Sequence, residues 1–151
     1  MDSSTLVGRS ILVLEEEPFV ACCLQILLEG AGAKVHSATS ADEALRFIDG
    51  TRLSAAVLSC SKTTRGHRRV VQRLARFDLP LLLCKGVNQN DAWPGIQALI
   101  KPIIGRQLVE SLHRLILADG ATAERATRDP IGSKENLKAG ERRFRFAETP
   151  S

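Results

Sequence analysis

Ser10-Ile11-Leu12-Val13-Leu14-Glu15-Glu16-Glu17-Pro18 is the stretch on which the fold turns. Its short run of branched aliphatics suits a strand buried on both faces, and three carboxylates and a proline then stop it. Beyond Pro18 the period changes. Val20, Cys23, Leu24 and Leu27 recur at helical spacing, with Pro18 suited to the first turn and Gly30 and Gly32 to the end. The alternation repeats down the chain. A weak strand at Lys34–Ala38 leads to Ser40-Ala41-Asp42-Glu43, a capping box opening a helix with Ala44, Leu45 and Ile48 on its inner face. Ala55–Leu58, Leu81–Cys84 and Ala98–Ile100 read as three more buried strands. Val70, Val71, Leu74 and Phe77 mark a helix between the first two, ended before Pro80. Residues 86–97 carry no helical stripe, and Leu108, Val109, Leu112, Leu115 and Ile116 make a last helix ending near Asp119-Gly120.

Strands alternating with helices through short links predict an α/β, doubly wound, five-stranded parallel sheet, with its site outside the carboxyl ends of the strands. Those ends are Glu15/Glu16, Ser59, Lys85 and Lys101. The 151 residues make one domain, and a hydrophobic content of 44% is too high for a disordered chain. No apolar run approaches the roughly 18 residues of a membrane span, and no secretory signal opens the sequence, so a cytoplasmic domain is expected. Cys22, Cys23, Cys60 and Cys84 lack metal-ligand spacing and read as buried small hydrophobes in a reducing compartment. The domain is expected over residues 9–119, with 120–151 a flexible basic tail. The net charge of +4 divides evenly, +2 on each part, too little to argue for nucleic acid.

From Ile11-Leu12-Val13-Leu14-Glu15-Glu16-Glu17-Pro18, through Ala55-Ala56-Val57-Leu58 and Leu82-Leu83-Cys84-Lys85-Gly86, to Lys101-Pro102, residues 9–118 resemble the receiver domain of bacterial response regulators in two-component systems. The resemblance implies a flavodoxin-like strand order 2-1-3-4-5, and the short stretch after Gly86 resembles a subgroup with a reduced fourth helix. It also implies Mg²⁺ on the acidic pair, a phosphoacceptor aspartate after the third strand, a Thr or Ser ending the fourth, and a lysine followed by proline after the fifth. This sequence departs from that pattern twice. Ser59 stands at the aspartate position and Lys85 at the hydroxyl position. Glu15, Glu16, Lys85 and Lys101 then sum to no net charge, which removes the pull on a dication. A serine without a neighbouring base is also a poor nucleophile.

The reading is therefore a pseudo-receiver with a degenerate pocket of Glu15, Glu16, Ser59, Lys85, Lys101 and Pro102. The lysines are expected to pair with the two glutamates. No catalytic residue, no cofactor and no metal are expected, a weak cation site at Glu15 and Glu16 being the exception considered. Function is expected through protein contact within a phosphorelay, with a histidine kinase, a phosphotransfer protein, another receiver or a second copy as partner. Arg65, Arg68 and Arg69, in the basic series from Lys62 to Arg76, and Arg106, Glu110 and Arg114 on the last helix are the candidate contacts. Two rival readings are a receiver with a non-standard acceptor (Ser59, Ser61 or a rearranged acid) and a basic nucleic-acid-associated protein using Lys62–Arg76 and the tail. Against the latter stand the even charge and the lack of a base-reading motif. In the tail, Arg142-Arg143-Phe144-Arg145-Phe146 reads as disordered chain or a short linear motif.

Overall fold

The computed structural model describes residues 4–59, 65–86 and 96–128, the last nine by their backbone alone. The elements run β1 (Ser10–Glu15), α1 (Pro18–Gly30), β2 (Lys34–Ala38), α2 (Ala41–Gly50), β3 (Ala55–Ser59), α3 (Arg65–Arg76), β4 (Leu81–Lys85), β5 (Gln97–Ile100) and α4 (Gly105–Arg128). All strand pairs are parallel, and the sheet order is β2-β1-β3-β4-β5, the flavodoxin-like arrangement expected. The stretch compared to a reduced fourth helix, 87–95, lies outside the described residues, as do 60–64 and the tail beyond Arg128. Among the described residues no helix is long and apolar enough to cross a membrane.

Successive strand side chains point to opposite faces, and two cores result. Ile11, Val13, Ala55, Val57, Leu82 and Cys84 face α1 and α4, where Leu24, Leu28, Leu108 and Leu112 cover them. Leu12, Leu14, Ala56, Leu58, Leu81 and Leu83 face α2 and α3, against Ala44, Leu45, Ile48, Val70, Val71 and Leu74. Burial on both faces is why these strands read as unbroken apolar runs rather than as an alternation.

Local chemistry sets the helix ends. The Ser40 hydroxyl accepts the Glu43 N–H at 3.2 Å, as the capping box requires, but the Glu43 carboxylate reaches back one residue further, to the N–H and hydroxyl of Thr39. Helix α3 closes with Asp78 in the left-handed region (φ 53°), and the Leu79 N–H is donated to the Leu74 carbonyl. Asp is one of the few side chains that tolerate that conformation.

Four expectations are corrected. Cys22 and Cys23 are exposed, not buried; α1 buries Ala21, Leu24 and Leu28, and of the expected stripe Val20 and Leu27 pack partly buried against the same core while Cys23 turns out. Cys84 is buried as expected, and Cys60 lies outside the described residues. Phe77 falls just past α3 and is 52% exposed. At the N-terminus, Leu6 is fully buried and donates its N–H to the Ala31 carbonyl at 2.8 Å, so the packed unit begins before residue 9. Helix α4 passes Gly120 and continues to Arg128, although no apolar stripe demands it. Ala121, Ala123 and Ala126 supply strong intrinsic helix propensity there, enough to offset a mid-helix glycine at about 1 kcal/mol.

Candidate functional site

The register of the sheet decides which side chains meet beyond its carboxyl end. Glu15 lies opposite Ser59, Ser59 opposite Cys84, and Cys84 opposite Leu99. Residues in register share a face, so Glu15 and Ser59 continue the row that faces α1 and α4. Lys101, two residues past Leu99, falls in the same row. Lys85 lies opposite Ile100, in the other row.

The contacts follow this parity. Glu15 is 6% exposed; its Oε1 accepts the Glu17 N–H at 3.0 Å, and its Oε2 lies 3.8 Å from Lys101 Nζ. The expected pairing is thus made by Lys101. It is not made by Lys85, whose ammonium has no ion pair among the described residues and whose carbonyl accepts the Lys101 N–H at 2.8 Å. Glu16 turns outward, with Oε1 3.5 Å from His67 Nε2. The Lys101-Pro102 peptide bond is cis.

His67 was not foreseen as a neighbour of the pocket. It sits in the first turns of α3 with 3% of its side chain exposed. The signal was present in the chain, since His67, Val70, Val71 and Leu74 keep i, i+3, i+4, i+7 spacing and form the buried face. A histidine that continues an apolar stripe is carried inward by the helix.

Two oxygens at this end are buried with no hydrogen-bond partner among the described residues: Glu15 Oε2 and Ser59 Oγ, the latter on a residue 1% exposed. Each such vacancy costs about 1–3 kcal/mol relative to a satisfied group. They make the pocket a polar site, and they raise the question of whether Mg²⁺ fits. A small octahedral dication needs one or two carboxylates and further hard oxygens at about 2.0–2.1 Å. Here the Glu15 carboxylate is shared between a backbone N–H and an ammonium, Glu16 faces His67, and the third oxygen belongs to a neutral hydroxyl. Among the described residues no group of three His, Cys, Asp or Glu side chains could hold a metal ion.

The candidate contact residues lie elsewhere on the surface. Arg65, Arg68 and Arg69 are exposed on α3, with Arg69 Nη1 3.7 Å from Asp42 of α2. On α4, Glu110 is held between Arg106 at 3.2 Å and Arg114 at 3.9 Å, so these three form a ladder along their own helix. Arg142–Phe146 lies outside the described residues.

No protein-family model and no curated protein matches the chain. Solved structures do. A response regulator receiver domain protein from Clostridium thermocellum superposes with a TM-score of 0.65 at 18% identity, over 76% of this chain and 98% of that one. A sensor protein from Polaromonas sp. JS666 gives 0.64 at 24% identity, over 74% and 98%. A response regulator receiver protein from Sinorhizobium medicae WSM419 gives 0.61 at 19%, over 74% and 96%. The fold is that of receiver domains.

Proposed function

We propose that this chain is a receiver-type signalling module of the cytoplasm that acts through protein–protein contact and does not accept a phosphoryl group. One observation carries the reading: the residue at the carboxyl end of the central strand is Ser59, whose buried hydroxyl has neither a base nor any other hydrogen-bond partner among the described residues. Attack on phosphorus requires an anionic or activated oxygen. The nearest carboxylate, Glu15, is already engaged by Lys101, and the ring nitrogen of His67 faces Glu16 instead. Without a third acidic oxygen the pocket has no Mg²⁺ to offset the charge of an incoming phosphate, so no metal requirement and no turnover are expected.

Partners are of the two-component kind: a histidine kinase, a phosphotransfer protein, another receiver or a second copy of this chain. Exposed Ile100 and Ile104, just before α4, and the exposed Arg106 and Arg114 on it offer apolar and charged side chains for such a contact. The test is intact-mass measurement after incubation with acetyl phosphate and Mg²⁺. No phosphoryl adduct is expected. An adduct abolished by Ser59→Ala overturns the proposal in favour of a serine acceptor. Ser59→Asp alone is expected not to label rapidly, because Lys85 still stands where the hydroxyl residue would be.

A further inference from the structure

At the opposite end of the sheet, before β3 and β4 begin, the ends of α2 and α3 enclose a groove of about 400 Å³. Ile48, Leu53 and Leu79 give it an aliphatic floor, and Phe77, Arg52 and Asp49 line it further. Phe77 is half exposed, a large aromatic face left in water although a core lies beneath it. Asp49 is neutralised by a bidentate contact from Arg73. Arg52 lines the groove and is exposed, and Arg76 and Asp78, exposed on either side of Phe77 in the chain, add one charge of each sign beside it.

The rest of α3 is basic. The helix has five arginines and no acid. Arg69 and Arg73 pair with Asp42 and Asp49 of α2, whereas Arg65, Arg68 and Arg76 have no ion pair among the described residues. Arginines in a last turn are favoured by the helix dipole, which accounts for Arg73 and Arg76. It does not account for Arg52, which is on another element, nor for the exposed ring of Phe77. An exposed aromatic ring and an arginine over an apolar depression have the composition of a protein-interface hot spot.

We infer that the groove between the ends of α2 and α3 docks an acidic protein segment, one apolar side chain of which seats beside Phe77 while its carboxylates pair with Arg52, Arg76 and the outer face of α3. The inference rests on the protein-contact reading for its purpose and names the partner's chemistry. Nucleic acid fits less well. The aliphatic floor of Ile48, Leu53 and Leu79 offers a base edge no hydrogen bond but suits an apolar side chain. The groove lies roughly 15 Å, one strand length, from Glu15 and Ser59, so docking does not need the pocket.

The experiment is an amide-resolved NMR titration of the whole chain with a short glutamate-rich peptide carrying one leucine. Parallel titrations use the peptide with Leu→Gln, its lysine-rich counterpart, and a short DNA duplex. Shift changes concentrated at Gly50–Leu53 and Phe77–Leu79 are expected. Arg52→Glu with Arg76→Glu is expected to lower affinity by about tenfold or more, and Phe77→Ser or the leucine-free peptide by several-fold, with unchanged signals around β1 confirming the fold. Absence of those shifts, equal affinity in the charge-reversed variant, or tighter binding of the lysine peptide or DNA overturns the inference. The mass measurement is independent: a phosphoryl adduct alongside groove binding removes the reading of the pocket and leaves the docking site.

Discussion

Helices α1 and α3 cover opposite faces of one sheet and dress their outer surfaces in opposite ways. Apart from Glu29, α1 carries no charge and shows Phe19, Cys22, Cys23 and Ile26 to solvent. Outside its buried stripe α3 is nearly all arginine. The contrast teaches when a helix can be oriented from its sequence. Periodicity identifies the inner face by difference, so it needs a polar outer face. In α3 the inner face, Val70, Val71 and Leu74, stands out at once. In α1 apolar residues occur all round, and the edge of the inner face is blurred: Val20, Leu24 and Leu27 of the expected stripe pack on the core, joined by Ala21 and Leu28, but Cys23 does not.

The largest expected effects test that orientation. Leu28→Ala in α1 and Leu74→Ala in α3 each remove a fully buried side chain and are expected to cost about 2–5 kcal/mol in urea unfolding. Cys23→Ser, on the outer face of α1, is expected to stay within about 0.5 kcal/mol of the parent. A cost for Cys23→Ser comparable to that of Leu28→Ala would place Cys23 on the core, as expected from the sequence. Thiol labelling sharpens the same point: Cys22 and Cys23 are expected to react with a maleimide in the folded protein, and Cys84 only after unfolding, as mapped by peptide mass.

A smaller effect belongs to the pocket, where the comparison is between two oxygens in one row. Glu15 Oε2 has an ammonium nearby, but Ser59 Oγ has no hydrogen-bond partner among the described residues. Ser59→Ala removes an unsatisfied hydroxyl and creates almost no cavity, so it is expected to raise stability by about 1 kcal/mol. Lower stability for Ser59→Ala in urea unfolding would mean that the hydroxyl has a partner.

The strand bounds to within a residue and the Ser40 cap were legible because each depends on local pattern alone, whereas the strand order came from the resemblance to receiver domains. The pocket was legible only in part. Glu15, Ser59 and Lys101 follow from strand ends, but choosing Lys101 over Lys85 as the partner of Glu15 requires the pairing register, which no single strand encodes. His67 needed the recognition that a polar residue can continue an apolar stripe. The extension of α4 was missed because helical propensity, unlike amphipathicity, leaves no stripe.

The smallest effect concerns pH and the α2–α3 side of the sheet. His36 of β2 lies opposite Leu12 and so shares its face, with its ring centroid 5.4 Å from that of Phe47 in α2. Its Nε2 is buried without a hydrogen-bond partner among the described residues, and burial first, then the Lys34 ammonium, holds its pKa below the ordinary 6.5. The unfolded chain therefore binds a proton at pH values where the folded chain still refuses it. By linkage, stability from this group is complete above about 6.5 and is lost as pH falls from there to the lowered folded value. Thermal unfolding followed by circular dichroism is expected to show Tm falling between neutral and mildly acidic pH, with a shallower fall in His36→Phe. An equal slope in the variant would place the acid sensitivity elsewhere. The α1 side has Val35 at the neighbouring β2 position, so hydrogen exchange on acidification is expected to rise in α2 before α1.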